Sequence, residues 1–115
     1  VATSKVDYAA LTILRHFNLD HHFDVIAGSD ETGELRGTKA LVIEHALAEL
    51  KMCDGTSVVM IGDREHDILG AKEHGIPGIG VLYGYGDRED GLKCTHRSGA
   101  FHSRYSHTGM VSRSA

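Results

Sequence analysis

Val58-Val59-Met60-Ile61-Gly62-Asp63-Arg64-Glu65-His66-Asp67 is the stretch that decides the fold. Four apolar residues in succession suit a strand buried on both faces, and the glycine that follows lets the backbone turn sharply at the sheet's carboxyl edge. Open α/β sheets place ligands at that edge. Asp63 and Asp67 arrive there within one turn of each other, and two such carboxylates can converge on a hard cation, which takes oxygen ligands. The plain alternative is a helix N-cap followed by an exposed acid. The tetrad alone leaves both readings open.

On either side of this stretch, strand and helix signals alternate. Downstream, Ile68, Leu69 and Ala71 line a short helix that Gly75 ends, and residues 79–83 form a further strand. Upstream, Val1-Ala2-Thr3-Ser4 is placed like the end of a strand. The apolar positions Val6, Ala9, Ala10, Ile13, Leu14 and Phe17 then recur at helical spacing up to a stop at Asn18. Asp24-Val25-Ile26-Ala27-Gly28-Ser29 reads as a second buried strand and residues 30–37 as a loop. Thr38 can cap a helix whose buried face is Val42, Ile43, Ala46, Leu47 and Leu50. Strands separated by helices of this length predict an α/β fold with a parallel sheet and right-handed crossovers.

A chain of 115 residues fits at most one small domain, short for this class. Its 41% hydrophobic and 24% charged content are those of a soluble globular protein. No run is long enough to span a bilayer and no signal peptide is evident, so the cytoplasm is the expected compartment. Cys53 and Cys94 lie far apart without metal-ligand spacing and read as reduced thiols. The nine histidines are scattered, and His21-His22 is adjacent rather than at the i, i+4 spacing of two ligands on one helix face, which argues against zinc. Gly84-Tyr85-Gly86 lacks the third glycine and the helix opening of a dinucleotide loop.

Charge divides the chain. Residues 1–91 hold 8 basic against 16 acidic side chains, a net of −8, while residues 92–115 carry +4 and no acid. That basic C-terminal tail shows neither apolar period and reads as irregular or disordered, with the organised core at residues 1–90 and the tail at 91–115. Four charges without an amphipathic pattern argue against nucleic acid and membrane partners. The abrupt change of composition near residues 87–93 is also what a shifted reading frame or splice artefact would leave.

Val-Ala-Thr-Ser-Lys, Asp-Val-Ile-Ala-Gly-Ser, a lysine opening a helix, Gly-Asp-Arg-Glu-His-Asp and Gly-Val-Leu-Tyr-Gly-Tyr-Gly occur in this order. With them, residues 1–90 resemble the haloacid dehalogenase-like hydrolases, most nearly the phosphoglycolate phosphatase and cytosolic 5′-nucleotidase-like branch. The resemblance implies a partial Rossmann-like three-layer α/β sandwich and a Mg²⁺-dependent phosphoric monoester hydrolase. It implies that Thr3 hydrogen-bonds the transferring phosphoryl oxygen and that Ser4 adds its backbone N–H. Lys39 would hold phosphate and nucleophile together, a point charge answering charge that develops in the transition state. Asp63 and Asp67 would hold Mg²⁺, Asp63 directly and Asp67 through water. Arg36, in the loop before Lys39, reads either as a substrate contact or as a solvated arginine. His66 reads as a packing residue in preference to a titrating one.

The family's nucleophile is the first Asp of an Asp-x-Asp at the end of a first strand, and no Asp-x-Asp occurs in this sequence. Asp54-Gly55-Thr56 mimics the end of that motif, but Met52 stands where the nucleophile would be, and the triplet reads as a turn. The expectation is therefore a fragment without the first strand and the substrate-selecting cap, inactive alone. The family's sheet places that strand between those of Val1 to Ser4 and Val58 to Ile61, so its loss would leave two apolar edges open to association. Small phosphorylated molecules are the expected substrates, among them phosphoglycolate, nucleoside monophosphates and pyrophosphate. The rival is a non-catalytic module that binds phosphate or a partner strand. A receiver domain would carry its acidic cluster on the first strand instead.

Overall fold

The computed structural model describes residues 1–52, 58–81, 83–84 and 110–113. The chain divides into two compact units, Val1–Cys53 and Asp54–Ala115.

In the first unit, β1 (Ala2–Val6) leads directly into α1 (Asp7–His16), followed by a 3₁₀ turn (Asp20–His22), β2 (Ala27–Ser29) and α2 (Lys39–Glu49). β1 and β2 run parallel, as the alternation of strand and helix predicts. Ala2 lies opposite Ala27 and Val6 opposite Ser29, so β1 uses more residues than β2 over the same length and its register shifts between the two pairs. That irregularity brings the end of β1 onto Gly28, where any side chain would overlap the Lys5 carbonyl and the Asp7 backbone. β2 is shorter than the predicted strand: Asp24, Val25 and Ile26 precede it as irregular backbone.

α1 carries Asp7 in its first turn and Arg15 and His16 in its last, the order the helix dipole favours. Asn18 ends it in the left-handed region at φ 54°, where asparagine is tolerated better than most residues. Of its predicted apolar face, Ala10 is buried, but Ile13 and Phe17 stand 43% and 64% exposed. Helical spacing registers that these residues share a stripe, not that anything covers it. Thr38 caps α2 by accepting the Leu41 N–H at 3.3 Å. α2 packs against β1 and β2 with Val42, Ile43, Ala46 and Leu47 buried, and Ala2 and Ala27 buried in the strands. Leu50 is only half-buried. Each fully buried Val or Ile contributes about 1.5–3 kcal/mol.

In the second unit, β3 (Val58–Gly62) runs through α3 (Glu65–Glu73) to β4 (Gly78–Gly80), with β5 (Met110–Arg113) on the far side of β3. β3 and β4 are parallel, Met60 opposite Gly78 and Gly62 opposite Gly80. β5 pairs antiparallel to β3, Val58 opposite Arg113 and Ile61 opposite Met110. β3 was expected to be buried on both faces. It alternates instead, with Val58, Met60 and Gly62 buried and Val59 and Ile61 half-buried. α3 covers β3 and β4 with Ile68 and Ala71, and Gly75 at φ 66° ends it. β4 is shorter than the predicted 79–83 strand. Of the tail expected to be irregular, residues 110–113 are a strand. Asp54-Gly55-Thr56, both cysteines, Tyr85, Gly86 and the rest of the tail lie outside the described residues.

Gly28→Ala should destabilise the first unit by about 1–3 kcal/mol, read as a lower urea midpoint with an unchanged slope. A chain ending before Met110 should lose amide-exchange protection along the β5-facing edge of β3 and self-associate more readily, since an uncovered edge strand is a template for pairing.

Candidate functional site

Thr3 and Ser4 are neighbours within β1, which runs on to Val6 rather than ending at Ser4 as expected. Thr3 is half-buried, and its Oγ1 accepts the Lys5 backbone N–H at 3.2 Å. Ser4 is exposed, and its carbonyl accepts the Ser29 hydroxyl at 3.1 Å, tying β1 to β2. Lys39 opens α2, and its Nζ donates to the Ala2 carbonyl at 3.1 Å. The lysine thus reaches back to the residue that precedes Thr3. A cation on a long stem, rooted in a helix's first turn and drawn to a strand's hydroxyl-bearing end, suits an anion held between them.

The loop from β2 to α2 is organised by two carboxylates that the sequence reading missed. Asp30 accepts the Arg36 N–H at 2.6 Å, the Thr32 hydroxyl at 2.9 Å and the Leu35 N–H at 3.3 Å. Desolvation works to raise its pKa, but these donors and its own backbone N–H favour the charged form and hold it at about 2, below the ordinary 3.8. Asp7 accepts the Gly28 N–H on one carboxylate oxygen and the Arg36 guanidinium on the other, the latter at 2.5 Å. Arg36 is accordingly a clamped, largely buried ion-pair member, not a solvated arginine. Asp30 had a legible signal, an acid with a threonine two residues on, the pattern of side-chain-capped turns. Asp7 had none, because its partners are 21 and 29 residues away.

In the second unit, Asp63 stands half-buried just past β3, and its side chain lies so close to Gly84 that a side chain there would overlap it. Asp67 is 5% exposed in the first turn of α3. One of its carboxylate oxygens accepts the Arg64 N–H at 3.2 Å, and the same carboxylate lies against Gly62. Asp67 therefore caps its own helix from the third position, and it is a buried acid, not the exposed one of the plain alternative. His66 is exposed, so the packing reading does not hold. Arg64 is exposed as well. Oxygen-only side chains suit Mg²⁺, which keeps several waters and needs few protein ligands. Among the described residues no group of three or more His, Cys, Asp or Glu side chains is placed to hold a metal, so the pair would be part of a site. No helix of the described residues is long and apolar enough to cross a membrane.

Residues 1–81 match the model of the haloacid dehalogenase-like hydrolases, and the chain belongs to that family. It is 50% identical over 86 residues to the tyrosine-protein kinase PtkA of Mycobacterium tuberculosis, which covers 75% of this chain and 29% of that protein. It is 43% identical over 90 residues to a 5′-nucleotidase of Pseudomonas aeruginosa, across 78% of this chain and 40% of that one. A crystal structure of a predicted phosphatase from Clostridium acetobutylicum is similar with a TM-score of 0.72 and 44% identity, across 78% of this chain and 41% of that one. The chain thus spans less than half the length of each.

Because the folded Asp30 carboxyl titrates below its unfolded value, the stability it contributes is complete above pH 3.8 and is lost as pH falls toward about 2. A carboxyl ¹³C titration should find Asp30 protonating at about pH 2, below the ordinary 3.8. Asp30→Asn should remove its share of the acid sensitivity of the first unit.

Proposed function

We propose that this chain supplies the phosphate-holding and metal-holding parts of a Mg²⁺-dependent phosphoric monoester hydrolase. The observation that carries this reading is the Lys39 ammonium drawn back to the Ala2 carbonyl, beside Thr3. Family membership and the relatives named as a phosphatase, a nucleotidase and a kinase, all of which handle phosphoryl groups, support it.

In this reading Thr3 Oγ1 donates to a phosphoryl oxygen, and its present acceptor role toward Lys5 leaves the hydroxyl proton to point elsewhere. The Ser4 N–H adds a second donor. Lys39 neutralises charge that grows on the phosphoryl oxygens. Asp63 holds Mg²⁺ directly and Asp67 holds it through water. Bound Mg²⁺ would supply charge-stabilising Lewis-acid chemistry. The complete enzyme transfers the phosphoryl group to a carboxylate and then to water, splitting a hard step into two. Since the sequence contains no Asp-x-Asp, that carboxylate comes from outside it, and the chain alone is inactive. Phosphoglycolate and nucleoside monophosphates are the substrates of choice, and the cytoplasm, where such metabolites occur, is the compartment.

³¹P NMR of inorganic phosphate titrated with the chain should show Mg²⁺-dependent binding that Lys39→Met weakens roughly tenfold and Asp63→Asn makes insensitive to Mg²⁺. A peptide carrying a first strand with Asp-x-Asp should restore turnover of a generic phosphomonoester. Turnover by the chain alone at ordinary phosphatase rates would sink the proposal.

A further inference from the structure

The geometry points to Asp7 as a positioning residue that sets where the Lys39 ammonium sits. This rests on the phosphate-binding reading of Lys39 for its functional meaning, though not for its structural content. Asp7 is the first residue of α1, and its carboxylate joins two otherwise separate pieces. One oxygen takes the N–H of Gly28 in β2, and the other takes the guanidinium of Arg36. Arg36 is pinned a second time at its backbone, where its N–H donates to Asp30 at 2.6 Å. Thr38 then caps α2 and Lys39 begins it.

The run from Arg36 to Lys39 is therefore held at both ends by ionised or capping groups, while residues 31–35 before it are exposed and contribute no buried contact. The core residues Val42 and Ile43 fix the axis of α2, but they lie beyond its first residue. Chain entry into the first turn is set by the Asp7–Arg36 pair together with the Asp30 bond to the Arg36 N–H and the Thr38 cap. The Arg36 side chain is 21% exposed and that of Asp7 39%, and the pair is charge-assisted on both partners. It also disposes of a competing cation. An unpaired Arg36 three residues before Lys39 would itself attract an incoming anion and draw it off Thr3.

The test uses the whole chain with Asp7→Asn, which retains an acceptor for Gly28 but loses the charge that holds Arg36, and Arg36→Met, which leaves the Asp7–Gly28 bond in place. Two readouts are taken on folded protein, the ¹³Cε resonance of Lys39 and the affinity for inorganic phosphate with Mg²⁺. Positioning requires that the Lys39 resonance move in both variants and that affinity fall roughly fivefold in each, with no further fall in the double variant because the two act as one unit. An unmoved Lys39 resonance, or affinity unchanged or tighter in Asp7→Asn, would overturn the inference, the last by showing Arg36 to be a latent anion contact. Should the unaltered chain bind no phosphate, the phosphate reading falls while the Lys39 resonance still decides for or against Asp7. If Asp7→Asn fails to fold, Arg36→Met alone decides by the same criteria.

Discussion

Side-chain carboxylates packed against bare backbone are the constraint on which both units depend. Gly28 has no room for a side chain because the end of β1 crosses it, and its N–H is satisfied by Asp7. Gly62 has none because the Asp67 carboxylate occupies the space, turned back to the Arg64 N–H. In each unit a strand's glycine lets an acid come close to the backbone, Asp7 to the Gly28 N–H and Asp67 to the start of its own helix. Asp7 holds Arg36, three residues before Lys39, and Asp67 closes the turn that follows Asp63. A buried carboxylate costs several kcal/mol unless it is hydrogen-bonded. The two sites therefore tolerate little change in the glycines that admit those bonds.

Period and turn chemistry made the elements readable. Thr38 before Val42, Ile43, Ala46 and Leu47 gave both the start of α2 and its buried face, since a cap and a helical stripe are local properties of the sequence. Asn18 and Gly75 marked helix ends because few other residues accept a positive φ. What failed was burial. Ile13 and Phe17 have the spacing of a core face and remain exposed, and β3 alternates where four apolar residues suggested two covered faces. Coverage is decided by elements distant in sequence, about which a local period is silent. The same reason hid Asp7. Of the candidate site, the positions of Lys39, Asp63 and Asp67 were legible from motif order, but the capping role of Asp67 required coordinates.

β5 bears on how an α/β sheet closes its edges. β3 is central to its sheet, with β4 parallel on one side and β5 antiparallel on the other. A parallel neighbour needs a crossover of about a dozen residues or more, whereas an antiparallel one can enter from either direction after any length of chain. A segment that follows β4 late in the chain can therefore cover the open edge of β3 without obeying the fold's crossover rule. The strand signal in residues 110–113 is only four residues long, which is why composition alone read the whole tail as irregular.

The Ala2 carbonyl is an instructive partner for Lys39. It is a neutral acceptor, and a hydrogen bond from an ammonium to a neutral oxygen is weaker than one to an anion. In the proposed phosphate site, an arriving dianion would offer Lys39 a stronger bond than that carbonyl does. The adjacent Arg36 shows the contrast: its carboxylate partner keeps it fixed and electrically quiet. Two cations three residues apart thus reach acceptors of different charge, Lys39 a backbone carbonyl and Arg36 a carboxylate.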